Sequence, residues 1–562
     1  MISTIKSQLK NMLPSILGVL KKYLLLFLFI YFLTINPALI SYVLDNSFDL
    51  KALMYLSMTV AATVLFYWSS RHCFANNRLL LYNFVLIIMA SHKGFSTNCL
   101  EAELTILGLS VVSVIVSIYR RFIPLIPFIC FAVNLMLPGF YSIFLISILV
   151  ICYLTSKEYS DIRYSKPLQI FLAVSSVILY FVCLFRDFLV TAKEFPKNIM
   201  LWQCYNDYFH FGFITRGLIA SLRYILFGPD SNLAQTYFFL CGLQTLSLIG
   251  IFYLIYVLHK KSKDNPYSQF LVLALLCSET LRNATDVYMI ANFDNLLIFC
   301  LMLCVIWIID NKYLFLIPVV ISFCMLVHHG FGIFMFPALF IIFLYSYLSK
   351  ESDKAMRKKI FSATLITTVL VVSWFVYFQF FAHLNNKMTF DEACRYIGSF
   401  TNYVAEDNLD LMSTDEILTK YGFFFVNIKY ILYNGKVDDF GIQYISFASI
   451  TNSIFLLLIM IPVYLLCAKN YKNFRKKPGF SGLVGKTAPY FFLIILLSYL
   501  EVDYGRWNSF IILSLIMSLL SALLIDTENS WINHIPEKYR MLVCEGLVIF
   551  MIIIQPMGVW AN

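Results

Sequence analysis

Long apolar runs with almost no charge recur from one end of the chain to the other. A helix needs about 20 apolar residues to cross the hydrocarbon core of a bilayer, and about 17 suffice when it stands upright. The sequence therefore predicts an all-α fold, a polytopic transmembrane helical bundle of about 14–17 spans. The runs lie at about 23–43, 53–69, 79–91, 103–118, 122–136, 139–154, 168–186, 236–257, 267–281, 294–310, 313–327, 331–347, 360–381, 446–468, 488–500, 508–525 and 541–557.

The composition excludes the main alternatives to a membrane protein. Charged residues make up only 13% of the 562 residues, and apolar residues make up 60%. A soluble domain is about one-quarter charged, so this chain could not solvate the helix faces of a doubly wound soluble enzyme. It is also too apolar to be disordered.

The positive residues predict the orientation of the bundle. If the N-terminus is cytoplasmic, the cytoplasmic segments hold roughly 28 of the 42 Lys and Arg residues, as the positive-inside rule requires. The richest are His259–Lys261, Lys350–Lys359 and Lys469–Lys486. The formal charge of +10 thus records orientation, and no nucleic-acid partner is expected. The first run lacks a small-residue cleavage site, so we expect it to be retained as a span.

We expect three parts along the chain. Residues 1–165 form an N-terminal transmembrane bundle, 166–525 form the transmembrane core, and 526–562 form a cytoplasmic loop and the last span. Two long loops of the core, at about 187–235 and 382–445, are predicted to lie on the outer side and to bear amphipathic helices.

Five polar groups interrupt the apolar pattern, and the predicted orientation puts all five on the outer side. Ionisable groups at membrane depth are costly and are usually paired or functional, so the groups predict one outward-facing polar cavity. They are Arg186-Asp187 with Glu194; the run 206–217, which contains Asp207, His210 and Arg216; Glu279, Arg282, Asp286 and Asp294; His328-His329-Gly330; and the run 503–507, which contains Asp503 and Arg506.

Each group also has a purely structural interpretation, which the sequence leaves open. Asp286 and Asp294 could cap helices, and the run 503–507 could be an ion pair with an interfacial Trp anchor. If His328 and His329 lie on one helix, their side chains point about 100° apart, and only one of them faces the cavity.

The residue types of the five groups favour a particular substrate chemistry. Carboxylates serve as bases or metal ligands, His as an acid or base, and Arg as a bidentate clamp on phosphate. This set suits a substrate with an anionic, pyrophosphate-like part and a hydroxylated part. The 14 cysteines show no zinc-site spacing, and Walker and dinucleotide motifs are absent. A phosphorylated lipid donor or an ion gradient is therefore the expected source of energy.

Three segments carry a resemblance to a known family: G-F-I-T-R-G-L (212–218), H-H-G-F (328–331) and D-Y-G-R-W (503–507). With a span that ends in Asp187 before a long outer loop, the chain resembles bacterial polytopic glycosyltransferases of the GT-C superfamily. More loosely, it resembles O-antigen and capsule polymerases. The resemblance covers roughly 168–525, although the W-W-D-like acceptor motif of oligosaccharyltransferases is missing.

The resemblance implies roles for the polar residues. Asp187 would be the base or metal-coordinating group, with Asp207 as its rival, and His328 or His329 would act as acid or base. The cofactor stays open between none and a divalent metal, Mg²⁺ or Mn²⁺, and the metal ligands stay unknown. The residues expected to bind the substrate are His210, Arg216, Arg282, Asp286, Asp294, Asp503 and Arg506.

The resemblance also implies a location and partners. The chain would be a multi-pass protein of the bacterial inner membrane, in contact with membrane lipids. It would take a polyprenyl-phosphate-linked sugar at the periplasmic face and transfer or polymerise it onto a glycan acceptor for a surface polysaccharide. The oligomeric state stays open. Two alternatives remain: a transporter or flippase of lipid-linked oligosaccharides, although no inverted repeat is evident, and a membrane acyltransferase.

Overall fold

The structure is a computed structural model. Of the described residues, 86% are helical and none lies in a strand, which confirms the all-α class for them. The described residues are 50–73, isolated positions within 107–114 and 174–195, 202–276 except 215 and 230, 278, 281, 293–350, 353–382, isolated positions within 387–399, 504–526, and 531–551 with gaps.

The chain divides into two compact units, Met1–Val182 and Cys183–Asn562. In the first unit, helix α1 (Leu50–Cys73) contains the predicted apolar run 53–69. The predicted division into parts at residues 165 and 525 stays a prediction.

The other helices whose bounds the structure gives lie in the second unit. A 3-10 turn, Leu314–Leu316, leads into α8, and another, Trp531–His534, follows α12. The helices are α2 (Trp202–Tyr205), α3 (Tyr208–Phe211), α4 (Gly217–Phe227), α5 (Leu233–Lys261), α6 (Pro266–Leu276), α7 (Asp294–Asp310), α8 (Ile317–Val327), α9 (Phe331–Phe334), α10 (Phe336–Ser349), α11 (Lys354–Phe380) and α12 (Tyr504–Ile525).

Side-chain caps explain where the two longest helices begin. The Asn232 side chain accepts a hydrogen bond from the Gln235 amide, and the Gln235 side chain accepts one from the Asn232 amide, which is a capping box at the start of α5. The Asp353 carboxylate accepts a hydrogen bond from the Met356 amide at the start of α11. The last turn of α5 is basic, which complements the negative end of its helix dipole.

Helices α5 and α7 run parallel to each other in close contact. A Cβ atom at Gly250 would lie 2.5 Å from the Phe299 ring, so only glycine permits this approach. Eleven residues further along each helix, Lys261 forms an ion pair with Asp310. The equal spacing of the two contacts fixes the parallel register.

The helices that follow run back and forth beside α7, and their basic residues meet at one end. Ser346 Oγ donates to Asn311 Oδ1 at 3.5 Å, which joins the C-terminal parts of α10 and α7. The Arg357 guanidinium lies 4.3 Å above the Tyr347 ring, which brings in the first turn of α11. This end, called the basic end below, carries Lys260, Lys261, Lys312, Lys350, Lys354, Arg357, Lys358 and Lys359.

The opposite end of the same helices gathers aromatic and polar residues. The Phe378 ring, near the C-terminus of α11, lies 6.1 Å from the Phe213 ring and 6.0 Å from the His329 ring. Lys359 and Tyr377 are separated by about 27 Å along α11, at 1.5 Å per residue. This separation is close to the roughly 30 Å thickness of a bilayer's hydrocarbon core.

Within the part of the chain that the structure describes, two helices, α5 and the Lys354–Phe378 part of α11, are long and apolar enough to cross a membrane. Both expose large apolar side chains along their length. Only 22% of the apolar window of α11 is buried against the rest of the chain. The exposed residues are Phe238, Leu246, Ile249 and Tyr253 on α5, and Phe361, Leu365, Ile366, Val369 and Val372 on α11.

The helix bounds differ from the predicted runs in two instructive places. The run 331–347 is two helices, α9 and α10, because Pro337 has no amide hydrogen to donate to the carbonyl four residues earlier. Helix α11 begins six residues before the predicted run 360–381, since Asp353 caps it and its charged first turn is compatible with a helix. The runs 23–43, 79–91, 122–136, 139–154, 446–468 and 488–500 lie outside the described residues.

Candidate functional site

The predicted polar run 206–217 forms a compact loop around the short helix α3. Asp207 has extended backbone (φ −81°, ψ 157°) and caps α3, because its carboxylate accepts from the amides of Phe209 and His210. Gly212 ends the helix at φ 86°, ψ −175°, a conformation that only glycine adopts readily. Arg216 precedes α4 with left-handed backbone (φ 61°), which costs a non-glycine residue about 1–2 kcal/mol.

A second glycine allows the loop to fold back on α4. A Cβ atom at Gly217 would lie 2.4 Å from a carbon of the Tyr208 ring. The Tyr208 amide donates to Ser221 Oγ at 2.8 Å, and that hydroxyl donates to the Gly217 carbonyl at 2.7 Å. These contacts fix the position of α3 on the first turns of α4.

Asp207 and His210 form a buried dyad within this loop. His210 Nδ1 lies 3.0 Å from each carboxylate oxygen of Asp207. Asp207 is fully buried, whereas the His210 side chain is 26% exposed. A carboxylate that accepts the Nδ1 hydrogen leaves the Nε2 lone pair free to take a proton, so His210 is the member of the pair that a substrate can reach.

Tyr396, from the second long predicted loop, completes the group around His210. Its hydroxyl lies 3.2 Å from His210 Nδ1 and donates to Asp207 Oδ2 at 3.4 Å. The ring centroids of Tyr396 and His210 are 4.5 Å apart. Burial, and secondarily the charge of Asp207, raises the pKa of Tyr396 to about 12, so the phenol keeps its proton.

Arg223 is a buried cation beneath this group. It is only 1% exposed, and its guanidinium lies 4.4 Å above the Tyr205 ring. It donates to Ser231 Oγ, and its charge partly offsets the rise in the pKa of Tyr396. Asp207, His210, Tyr396 and Arg223 are called the dyad cluster below.

Aromatic rings connect the loop to α11. The Phe213 ring lies 4.9 Å from the Tyr208 ring, 5.9 Å from Trp374 and 5.5 Å from Tyr377. The Tyr377 hydroxyl donates to the Phe213 carbonyl at 3.0 Å. The loop is therefore held at the C-terminal end of α11, about one membrane thickness from the basic end.

The two histidines lie together between α8 and α9. His328 has extended backbone (φ −157°, ψ 106°), and its Nδ1 accepts from the Gly330 amide at 3.1 Å. Its neutral form therefore carries the hydrogen on Nε2. The two rings are 5.9 Å apart and only 18° from parallel. The expected separation of about 100° between the two side chains therefore does not apply to these residues. That expectation assumed helical backbone, which His328 does not have.

Arg216 and His329 are brought together at this end. Both are buried. Burial first, and then the nearby charge of Arg216, lowers the pKa of His329 to about 3. His329 is therefore neutral at physiological pH and can offer one hydrogen-bond donor and one acceptor, but not a second positive charge.

The structure describes only some of the remaining predicted site residues. Asp294 is fully buried and begins α7, where its charge faces the positive end of the helix dipole. Arg506 lies in the first turn of α12, but its side chain is outside the described residues. Asp187, Arg282, Asp286 and Asp503 also lie outside the described residues, so their roles stay predictions.

Within the described ranges, no group of three His, Cys, Asp or Glu side chains could hold a metal ion. The sequence reasoning missed Arg223 and Tyr396. Arg223 is the only charged residue of α4, so its occurrence in an apolar helix could have identified it. No comparable sequence feature identifies Tyr396, since it lies 186 residues from His210 in sequence.

The chain matches no protein-family model, no curated protein and no solved structure. Its function must therefore be argued from the site itself. The dyad can take a proton from a hydroxyl, and the neighbouring buried arginine and neutral histidine suit the recognition of an oxyanion.

Proposed function

We propose that the chain is a polytopic membrane glycosyltransferase or polymerase of a bacterial surface polysaccharide. It would take a polyprenyl-phosphate-linked sugar on the periplasmic face of the inner membrane. The observation that carries the proposal is the dyad cluster, with Arg216 in the same loop and His329 joined to that loop through the Phe378 ring. The cluster joins a base for a hydroxyl to groups that recognise an anion.

Helix α4 supports a membrane environment, because its charged side chain is buried and its apolar side chains are exposed. We call it inverted, since a helix in water has the opposite arrangement. Its only charged residue, Arg223, points inward and is 1% exposed, while Ile225 and Leu226 are each 64% exposed. A helix in water would expose the charge and bury the apolar side chains. An apolar face beside an enzyme site suits a lipid substrate that enters sideways from the bilayer.

The proposed reaction uses His210, Arg216 and His329. The acceptor hydroxyl gives its proton to His210 Nε2 while its oxygen bonds to the anomeric carbon of the donor sugar. The bond between that carbon and the phosphate oxygen breaks, and both electrons leave with the lipid phosphate. Arg216 stabilises the developing phosphate charge, and neutral His329 donates a hydrogen bond to it.

Asp207 takes a different role from the one that the resemblance implies. Its two oxygens already accept from two backbone amides, the His210 imidazole and the Tyr396 hydroxyl. In this proposal Asp207 positions His210, and His210 is the base.

The two alternatives make different products. A flippase would leave the donor's sugar–phosphate bond intact, and an acyltransferase would transfer label from an acyl donor. The dyad alone would also serve an acyltransferase, because it activates the acceptor hydroxyl and not the donor. The buried Arg216 favours the phosphate-linked donor.

A transfer assay tests the proposal. Membranes of the source organism that lack the native chain are supplied with each variant and with polyprenyl-phosphate-linked sugar radiolabelled in the sugar. We expect wild type to move label into glycan and to release lipid phosphate in equal amounts. His210→Gln and Arg216→Gln should each lower transfer at least about 100-fold, as removal of a general base or an oxyanion donor does. His259→Gln, at the basic end, serves as the control and should keep full activity.

Intact donor after incubation with wild type, or label that enters glycan only from an acyl donor, would refute the proposal. So would normal transfer by His210→Gln at an equal amount of protein in the membrane.

A further inference from the structure

We infer that Tyr396 is a positioning residue of the site, whose hydroxyl links the Asp207–His210 dyad to the buried cation of Arg223. This inference rests on the proposed role of His210 as the base, and it assigns to the site a residue from a distant part of the chain. Two contacts of the phenol oxygen and the nearby charge of Arg223 support it.

The two contacts join Tyr396 to the dyad. Its oxygen lies 3.4 Å from Asp207 Oδ2 and 3.2 Å from His210 Nδ1. The Nδ1 hydrogen is directed to the carboxylate, which lies 3.0 Å away and carries the negative charge. The phenol hydrogen therefore also goes to Asp207, and Tyr396 and His210 donate to the same carboxylate.

The charge of Arg223 also acts on Tyr396, because it partly offsets the rise in the pKa of this phenol. A phenol that donates its one hydrogen still has lone pairs to accept another, so its oxygen can also accept from a guanidinium. Arg223 and Asp207 are both almost completely buried, and a buried charge is costly unless it is compensated. Both of these buried charges act on the Tyr396 phenol.

The backbone around Tyr396 is also attached to the loop. The Lys387 amide donates to the Phe211 carbonyl at 3.1 Å, and Lys387 Nζ donates to the Phe209 carbonyl at 3.4 Å. The Tyr396 ring lies 5.8 Å from the Phe211 ring. Lys387 and Tyr396 thus both contact α3.

The groups that face His210 can be named from each neighbouring element. Asp207 lies in its own loop, Tyr224 approaches from α4 with ring centroids 5.2 Å apart, and Tyr396 approaches from the segment after α11. The charges of Arg223 and Lys387 lie behind these groups. Of the two tyrosines, only Tyr396 has a described hydrogen bond to the dyad, so Tyr224 is its matched control.

The substitution Tyr396→Phe keeps the ring against His210 and removes only the hydroxyl. In the transfer assay we expect kcat to fall at least about tenfold, with KM for the donor changed less than about twofold. The acidic limb of the pH–rate profile should move to higher pH, because Asp207 loses a competing donor and then holds the protonated imidazole more strongly. Tyr224→Phe should change neither quantity.

A second measurement does not depend on transfer activity. Diethyl pyrocarbonate modifies neutral histidines, and mass spectrometry of the peptide that contains His210 follows its reaction against pH in the full-length protein. We expect the midpoint of this curve to rise in Tyr396→Phe and to stay unchanged in Tyr224→Phe. If the midpoint rises while wild type transfers no sugar, the positioning role stands and the glycosyltransferase proposal fails. If neither the midpoint nor the acidic limb moves, or if Tyr224→Phe gives the same changes, the inference about Tyr396 is wrong.

Discussion

The two oxygens of Asp207 show how much a single buried carboxylate organises in this chain. They accept from the Phe209 and His210 amides and from the side chains of His210 and Tyr396. The same carboxylate therefore starts α3, orients the imidazole and holds a segment that lies far away in sequence. Because these bonds share one acceptor group, its loss should disturb all of them together.

Two glycines offer a matched test of the loop's packing. An added methyl at Gly217 would overlap the Tyr208 ring, whereas one at Gly242 in α5 would meet no atom within 4 Å. We expect Gly217→Ala to destabilise the protein by about 1–3 kcal/mol, the usual range for overpacking, and to reduce transfer. Gly242→Ala should leave both unchanged or raise stability by up to about 1 kcal/mol. Thermal unfolding in detergent and the transfer assay measure these effects, and equal behaviour of the two variants would contradict the described packing.

His329 predicts a specific acid sensitivity. Its pKa is lowered to about 3 in the folded protein, while an unfolded chain has a histidine pKa near 6.5. Between these values the unfolded state binds the extra proton, so this residue lowers stability progressively as pH falls below about 6.5. We expect wild type to lose more thermal stability between pH 7.5 and pH 5.0 than His329→Gln does.

The exposed His259 at the basic end provides the control for this prediction. His259→Gln should show the same difference in unfolding temperature between the two pH values as wild type. If the unfolding temperature of His329→Gln falls as much between the two pH values as that of wild type, His329 is not the origin of the acid sensitivity.

At the scale of helices, hydropathy predicted the first and last residues of a helix where polar residues flank an apolar run. The run 294–310 coincides with α7, and 313–327 with the 3-10 turn and α8. It was insufficient where a local backbone effect intervenes. Pro337 divides the run 331–347, and the Asp353 cap extends α11 into a charged turn that hydropathy excludes. Residues 217–227 lie in the predicted outer loop at about 187–235, for which amphipathic helices were expected, and they form the inverted helix α4.

Helix α11 provides a test of whether its exposed face meets lipid. Val369 lies near its middle and is exposed. If the helix crosses a membrane, Val369→Lys costs about 2.5–3.5 kcal/mol of insertion free energy, and the amount of protein in the membrane should fall. In water the same exposed substitution would change stability by less than about 0.5 kcal/mol. Quantitative immunoblots of membrane fractions measure this, with Val369→Leu as the control, and equal levels of the two variants would refute a lipid-facing α11.

At the scale of the second unit, the basic end and the dyad cluster lie at opposite ends of the same helices. The positive-inside rule places the basic end in the cytoplasm, so the site would face the periplasm. In intact cells, a membrane-impermeant thiol reagent should label Lys387→Cys above the wild-type background and label Lys260→Cys only after permeabilisation. Labelling of Lys260→Cys alone in intact cells would reverse the proposed orientation.

The sequence predicted the parts of the candidate site that are local, and it missed those that depend on the tertiary fold. Asp207, His210 and Arg216 stood out because charged residues are rare in this chain. Their partners Tyr396 and Arg223 did not, because a tyrosine is common here and the arginine is oriented only by the packing of α4. His328 and His329 were identified from their adjacency, but their near-parallel rings depend on a backbone turn that hydropathy does not encode.

The rate of sugar transfer by Asp207→Asn tests the central claim most directly. The amide has the same shape as the carboxylate and can still accept at one oxygen, but it cannot offer two acceptors to the His210 Nδ1 hydrogen. The account predicts that kcat falls at least about 100-fold, as happens when a carboxylate that fixes a catalytic histidine becomes an amide. KM for the lipid-linked sugar and the amount of protein in the membrane should stay close to wild type. A kcat within about twofold of wild type would show that the Asp207–His210 dyad does not drive the reaction.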